Sequence, residues 1–141
     1  MKWTLLPCML LSGLTGYCLQ DGGDPPEEPK PWALFQMDEV DEARREADER
    51  YREFFRAKTM HLGLYTLATD AVDRQSPHTF DEAYYVLGGS GKLTVEGEEL
   101  AVEPGSVVYV HAGAKHRFHS IAEELELLVF FSTAKPQVKL K

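Results

Sequence analysis

Cysteine is nearly absent from this chain: there are two, Cys8 and Cys18, and both fall within the first eighteen residues. From Leu19 onward there is no thiol, which excludes an intramolecular disulfide, a thiolate nucleophile and a cysteine-ligated zinc site in the body of the protein. Basic charge is scarce as well. Fifteen Lys and Arg stand against 23 Asp and Glu, for a net charge of −8 at pH 7. That balance argues against nucleic acid and anionic membrane surfaces as partners, since both need a basic face. Long apolar runs are also missing. The stretch from Leu5 to Leu14 is interrupted by Pro7, Ser12 and Gly13 and is too short to cross a bilayer, so no transmembrane segment is expected.

What that stretch does resemble is an export signal, with Lys2 as the positive start and the apolar run behind it. Residues 1–18 are therefore read as a signal peptide cleaved after Cys18, which places the mature protein outside the cell or in a periplasm. Lipid attachment at Cys18 is the lesser alternative, because Tyr17 stands where a lipoprotein processing enzyme requires a small residue. Residues 19–37 form a Pro/Gly-rich linker, with Trp32, Leu34 and Phe35 as an arm that packs on the domain.

With 141 residues, 43% of them hydrophobic, the chain has material for one core and no room for two domains. Over residues 38–58, Val40, Ala43, Ala47, Tyr51, Phe54 and Phe55 fall at helical spacings, with Asp38 as cap and Asp41 in the first turn. This predicts an amphipathic helix against the outside of a sheet, with an oligomer contact as its lesser role. From 59 to 133 the pattern becomes strand-like, at Met60–Thr69, Ala83–Leu87, Lys92–Val95, Glu98–Val102, Ser106–Val110, Arg117–Ile121 and Leu125–Phe131. Turns are expected at 88–91, 96–98, 103–105 and 112–114, and residues 134–141 are a tail. Seven short strands so spaced indicate an all-β, antiparallel sandwich or barrel.

Strand alternation sharpens the pattern. If Glu82 faces inward, so do Tyr84 and Val86, while Ala83 and Tyr85 do not; if His116 faces inward, so do Phe118 and Ser120, while Arg117 and His119 turn away. His78, Glu82 and His116 then bring nitrogen and carboxylate donors into an apolar interior, a donor set suited to a metal. Singly, each has a plainer reading: His78 with Glu82 as a surface pair, His116 bonded to a turn carbonyl. His111 and His119 are read as surface residues and Asp81 as a solvated carboxylate. Tyr84 is the candidate pocket acid or hydrogen-bond donor, with structural packing an equal alternative, and Tyr109 has a weaker claim of the same kind.

Two motifs then bear a resemblance to the cupin superfamily. Ser76-x-His78, three residues, Glu82, six residues and Gly89 resemble its first motif, with Ser76 in place of the first histidine. Gly105, five residues, His111-x-Gly113, two residues, His116 and three residues to Ser120 resemble the second, with His111 replacing Pro and Ser120 replacing Asn. The resemblance implies a jelly-roll barrel, or double-stranded β-helix, with one divalent ion (Fe, Mn, Ni or Zn) held by His78, Glu82 and His116. Ser76 is the departure: it either holds a metal-bound water or records a site that has lost its metal. The function so implied is that of a metal-dependent protein acting on a small organic molecule as an oxygenase, lyase or isomerase. The alternative is a non-catalytic small-ligand-binding module, and a homodimer is compatible with either.

Overall fold

The computed structural model describes residues 31–134; the expected signal peptide, most of the linker and the tail beyond Ala134 lie outside the described residues. The described residues from Leu34 onward form one compact unit. It opens with helix α1 (Met37–Glu46) and continues through β1 (Tyr51–Arg56), β2 (Met60–Leu67), β3 (Asp81–Val95), β4 (Glu98–Val102), β5 (Val107–Val110) and β6 (His116–Ser132).

The helix expected over 38–58 ends at Glu46. Its termination is chemical. Ala47 is the C-cap, and Asp48 adopts the left-handed conformation at φ 54°. Asp48 N donates to Arg45 O at 3.1 Å and Glu49 N to Arg44 O at 3.1 Å, the paired bonds of a Schellman stop. Arg44 reinforces it by donating from Nη1 to the Glu49 carbonyl at 2.7 Å. At the other end the N-cap position is Gln36, without a side-chain cap; Asp38 sits in the first turn with Glu39, where negative charge complements the helix dipole.

Tyr51, Phe54 and Phe55, expected on the helix, are on β1 instead. The run 51–56 holds three aromatic residues, which suit a half-buried strand at least as well as a helix, and pairing with β2 decides the matter. A bulge between Glu53 and Phe55 interrupts the ladder, and Phe35 packs its ring on both Phe54 and Phe55, at centroid distances of 5.1 and 5.5 Å. Leu34, at 74% exposed, does not share that burial.

All strand pairs are antiparallel, in the order β1-β2-β6-β3-β4, with β5 on β3. Two long strands take the place of four short ones. Residues 88–91, expected as a turn, lie within β3, and Arg117–Ile121 joins Leu125–Phe131 as β6. The two strands bend together: the β3·β6 ladder changes register between Val86 and Lys92. At the corner Gly89 has φ 78°, and a Cβ there would overlap the Glu124 carbonyl, so only glycine fits. Across the corner Ser120 has φ 48° and is exposed. That conformation slips the side-chain alternation by one, so Ile121 is buried in place of Ser120, against the expected inward Ser120. The bend lets one sheet roll into a barrel, each long strand serving both halves.

The interior is filled by Leu67, Tyr84, Val86, Leu93, Val102, Val110, Phe118, Ile121, Leu125, Leu127 and Val129. Each fully buried side chain of this kind contributes roughly 1.5–3 kcal/mol, and most of them sit on β3 and β6. Glu82, Tyr84 and Val86 face inward and Tyr85 outward, as alternation requires.

Position 48 separates the two readings of this segment. Asp48→Val should lower stability by about 1–2 kcal/mol, because a β-branched residue resists the left-handed region, and Asp48→Gly should not lower it. A helix continuing to residue 58 would instead leave Asp48→Val within about 0.5 kcal/mol of wild type and make Asp48→Gly the more destabilising of the two. Urea denaturation of the two variants measures the difference.

Candidate metal centre and cavity

Three elements deliver the site. The segment between β2 and β3 carries His78, β3 carries Glu82 and Tyr84, and β6 carries His116. One ligand atom from each of His78, Glu82 and His116 lies within 4.8 Å of the others. Glu82 and His116 are buried, with side chains 2% and 1% exposed, and His78 is partly open at 32%. Glu82 Oε2 stands 3.2 Å from His116 Nε2 and 3.7 Å from His78 Nε2.

Donor and acceptor accounting shows what such a cluster needs. His116 Nδ1 is 2.9 Å from the Ala114 carbonyl, an obligate acceptor, so that nitrogen carries a proton. In the neutral ring Nε2 is then the lone-pair nitrogen, and it faces a carboxylate oxygen. Glu82 Oε2 is fully buried with no hydrogen-bond partner; although Nε2 is within ion-pair distance, the contact does not meet hydrogen-bond geometry. Two facing lone pairs are repulsive until a cation, a proton or a metal ion, sits between them. An imidazole whose other nitrogen is anchored on a backbone carbonyl is the usual arrangement of a metal-bound histidine. Separations of 3.2 and 3.7 Å also suit donors each about 2.0–2.2 Å from one ion. The residues therefore fit a divalent cation.

Around the cluster lies a polar network that the sequence did not reveal. Asp73 is 8% exposed. It accepts from Tyr65 Oη at 2.9 Å, Phe118 N at 2.8 Å, Gln75 N at 3.1 Å and Gln75 Nε2 at 2.8 Å. Because its Nε2 is committed to Asp73, the Gln75 amide cannot flip. Its Oε1 accepts from Tyr84 Oη at 3.0 Å and lies 3.4 Å from His78 Nε2. Tyr84 Oη is also 3.1 Å from His116 Nε2. Burial, and then the Glu82 charge, push the Tyr84 hydroxyl far above the ordinary tyrosine range, so it stays protonated.

The other expected residues are placed as follows. Ser76 is exposed; the polar side chain that reaches Tyr84 and His78 is Gln75, one residue earlier. Tyr109 is 60% exposed, away from the interior. Asp81 is not simply solvated: its Oδ1 accepts from Ala112 N at 2.9 Å, and Gly113 N donates to the His78 carbonyl at 2.8 Å, which ties the two motif-bearing loops together. His111 is exposed, with Nδ1 on the Ala112 carbonyl at 2.7 Å. His119 contacts Thr94 Oγ1 at 2.8 Å, outside the cluster.

A cavity of about 550 Å³ adjoins the cluster, with Tyr51, His78, Glu82, Tyr84, Val129 and Phe131 among its lining residues. That volume is in the range of small-molecule sites. The Tyr51 ring lies against Gly63 so closely that a Cβ there would overlap it, and Tyr65 meets it edge-on with centroids 6.3 Å apart. His78 is held edge-on against Phe131 at 5.1 Å. Tyr51 and Tyr65 were hidden from sequence reasoning because a partner strand, not local pattern, turns them to the cavity.

The architecture is a rolled antiparallel barrel with a His-Glu-His cluster beside an apolar cavity. A family model described as Cupin domain matches residues 63–131. An uncharacterized protein of Streptomyces coelicolor is 45% identical over 98 residues, covering 70% of this chain and 93% of that protein. Among solved structures, the TT1209 protein of Thermus thermophilus is similar at 28% identity and TM-score 0.53, over 58% of this chain and 80% of its own. KdgF from Halomonas shares the fold at 17% identity and TM-score 0.54, over 60% and 80%. The chain belongs to the cupin superfamily.

The cluster has a pH signature. Burial pulls the His116 imidazole down, but the adjoining Glu82 carboxylate, the Ala114 carbonyl and the Asp73 charge outweigh it, and the net direction is upward from 6.5. Metal-free protein should hold this stabilisation in full below the ordinary histidine value and lose it as pH rises through the raised one. Melting curves in chelator should therefore show wild type losing its advantage over His116→Gln as pH rises. Parallel curves for the two proteins would remove the pairing. With a divalent ion present the trend should reverse, because protons compete for the same donors.

Proposed function

We propose that the protein is an exported cupin that binds one divalent ion through His78, Glu82 and His116. We further propose that it acts on a small organic molecule in the adjoining cavity, by oxygenase, lyase or isomerase chemistry. The observation that carries this reading is the buried Glu82 oxygen, unpartnered and facing two imidazoles at the edge of a cavity. When bound, the ion would polarise a carbonyl, activate water or, as iron, engage dioxygen.

The chain's own residues supply the rest. His78, the most open of the three, turns its ring toward the cavity, where Val129 and Phe131 present apolar surface that excludes water. Tyr84, kept protonated, holds an O–H at the cavity wall between Gln75 and His116 and can give it to a developing negative charge. Asp73 and Gln75 set that hydroxyl's direction. Export rests on Lys2 and the apolar run behind it, in residues outside those described.

One observation favours a second reading, a non-catalytic small-ligand module. Ser76, where the family pattern has a ligand, is exposed, and the cluster is made of three side-chain donors.

Elemental analysis of protein made without a metal-binding tag should find about one divalent ion per chain, falling to background in His78→Ala and in His116→Ala. Near-stoichiometric metal in both variants would remove the ligand assignment. Tyr84→Phe should keep the ion and lower turnover by about 10²–10⁴-fold. Saturable thermal stabilisation by small molecules without turnover of any of them would decide for the second reading.

A further inference from the structure

The cavity rim carries two guanidinium groups that no acid in the barrel claims. Arg50 and Arg74 both line the cavity. Arg74 makes no hydrogen bond or ion pair among the described residues. Arg50 makes one long hydrogen bond, from Nη1 to the Val72 carbonyl at 3.4 Å, which brings it to the loop that bears Arg74. The Arg50 charge also bears on Tyr65, where it opposes the burial-driven rise of that hydroxyl.

The nearby acids are already engaged. Glu53 at the same cavity is clamped by Arg56, Nε to Oε1 and Nη2 to Oε2, both at 2.6 Å. Glu82 faces the imidazoles at the cavity floor. In a chain of net charge −8, two unmatched arginines facing an apolar chamber are placed to receive an anion. A planar guanidinium suits a carboxylate in two-point geometry. With Glu53 and Glu82 close by, a singly charged group is favoured over a phosphate dianion, which those two acids would repel more strongly.

We propose that the ligand is a small organic carboxylate, its anionic group held at the rim by Arg50 and Arg74 and its apolar body lying in the cavity toward Val129 and Phe131. This deepens the function proposed above and rests on its reading of the cavity as the ligand site. Arginine stems covering apolar surface, with their heads in water, are the plainer alternative. That alternative predicts no preference for an anion.

Titration calorimetry of the full chain, chelator-treated and metal-loaded, tests the proposal with benzoate, phenylacetate and hexanoate, their amides, and phenyl phosphate. Carboxylates should bind about tenfold or more tightly than the matching amides in both forms. Arg50→Gln and Arg74→Gln should each weaken carboxylate binding by about tenfold while leaving the amides unchanged. Unaltered melting temperatures would show that the variants fold.

Four results would overturn it: amides binding as well as acids, phenyl phosphate binding more tightly than every carboxylate, arginine variants matching wild type, or no saturable heat from any carboxylate up to ~10 mM. Carboxylate binding that needs metal and survives both arginine changes would place the anion on the ion, ending this inference while leaving the metal centre standing. Arginine-dependent binding in a protein that takes up no metal would sink the metal centre and leave this inference intact.

Discussion

One buried carboxylate organises the interior. Glu82 is 3% exposed in a core otherwise made largely of aliphatic and aromatic side chains, and one of its oxygens receives no hydrogen bond. Burying such a group costs several kcal/mol, and a hydrophobic residue of like volume would serve stability at least as well. Its place beside two imidazoles is therefore not explained by stability. The contacts that hold the cluster in place, from the Ala114 carbonyl behind His116 to the Phe131 ring against His78, keep the three side chains facing one another.

The fold brings the donors together by bending two strands. β3 supplies Glu82 and Tyr84 from one half, and its far half pairs with the stretch of β6 that begins at His116. Without the corner at Gly89, where the Glu124 carbonyl leaves no space for a side chain, the sheet would run straight and its two ends would stay apart. Backbone geometry at one glycine thus bears on the distance between an acid and a base that are far apart in sequence.

The loop before β3 adds directionality. A carboxylate accepting four hydrogen bonds locks the Gln75 amide, the amide orients the Tyr84 hydroxyl, and the hydroxyl meets His116. This chain of bonds also reaches Tyr65 on β2 and the Phe118 backbone on β6. Both the cavity wall and the cluster therefore depend on Asp73, a residue with no local pattern to mark it.

Alternation of polar and apolar residues was enough to indicate an antiparallel β domain and to turn Glu82, Tyr84 and His116 inward, because the two-residue period of a strand is a local property of the chain. Paired motifs added His78 and the barrel. The sequence could not show that residues 88–91 bend a strand rather than end it, or that 51–56 leave the helix, because strand partners remote in sequence decide both. The choice of Gln75 over Ser76 was equally hidden. It is made by the hydrogen bonds that Gln75 donates to Asp73, and the placement of Arg50 and Arg74 at one cavity likewise exists only once the chain has closed on itself. Local periodicity set which faces are buried; tertiary hydrogen bonding set which polar groups meet there, since those bonds join residues with no fixed spacing along the chain.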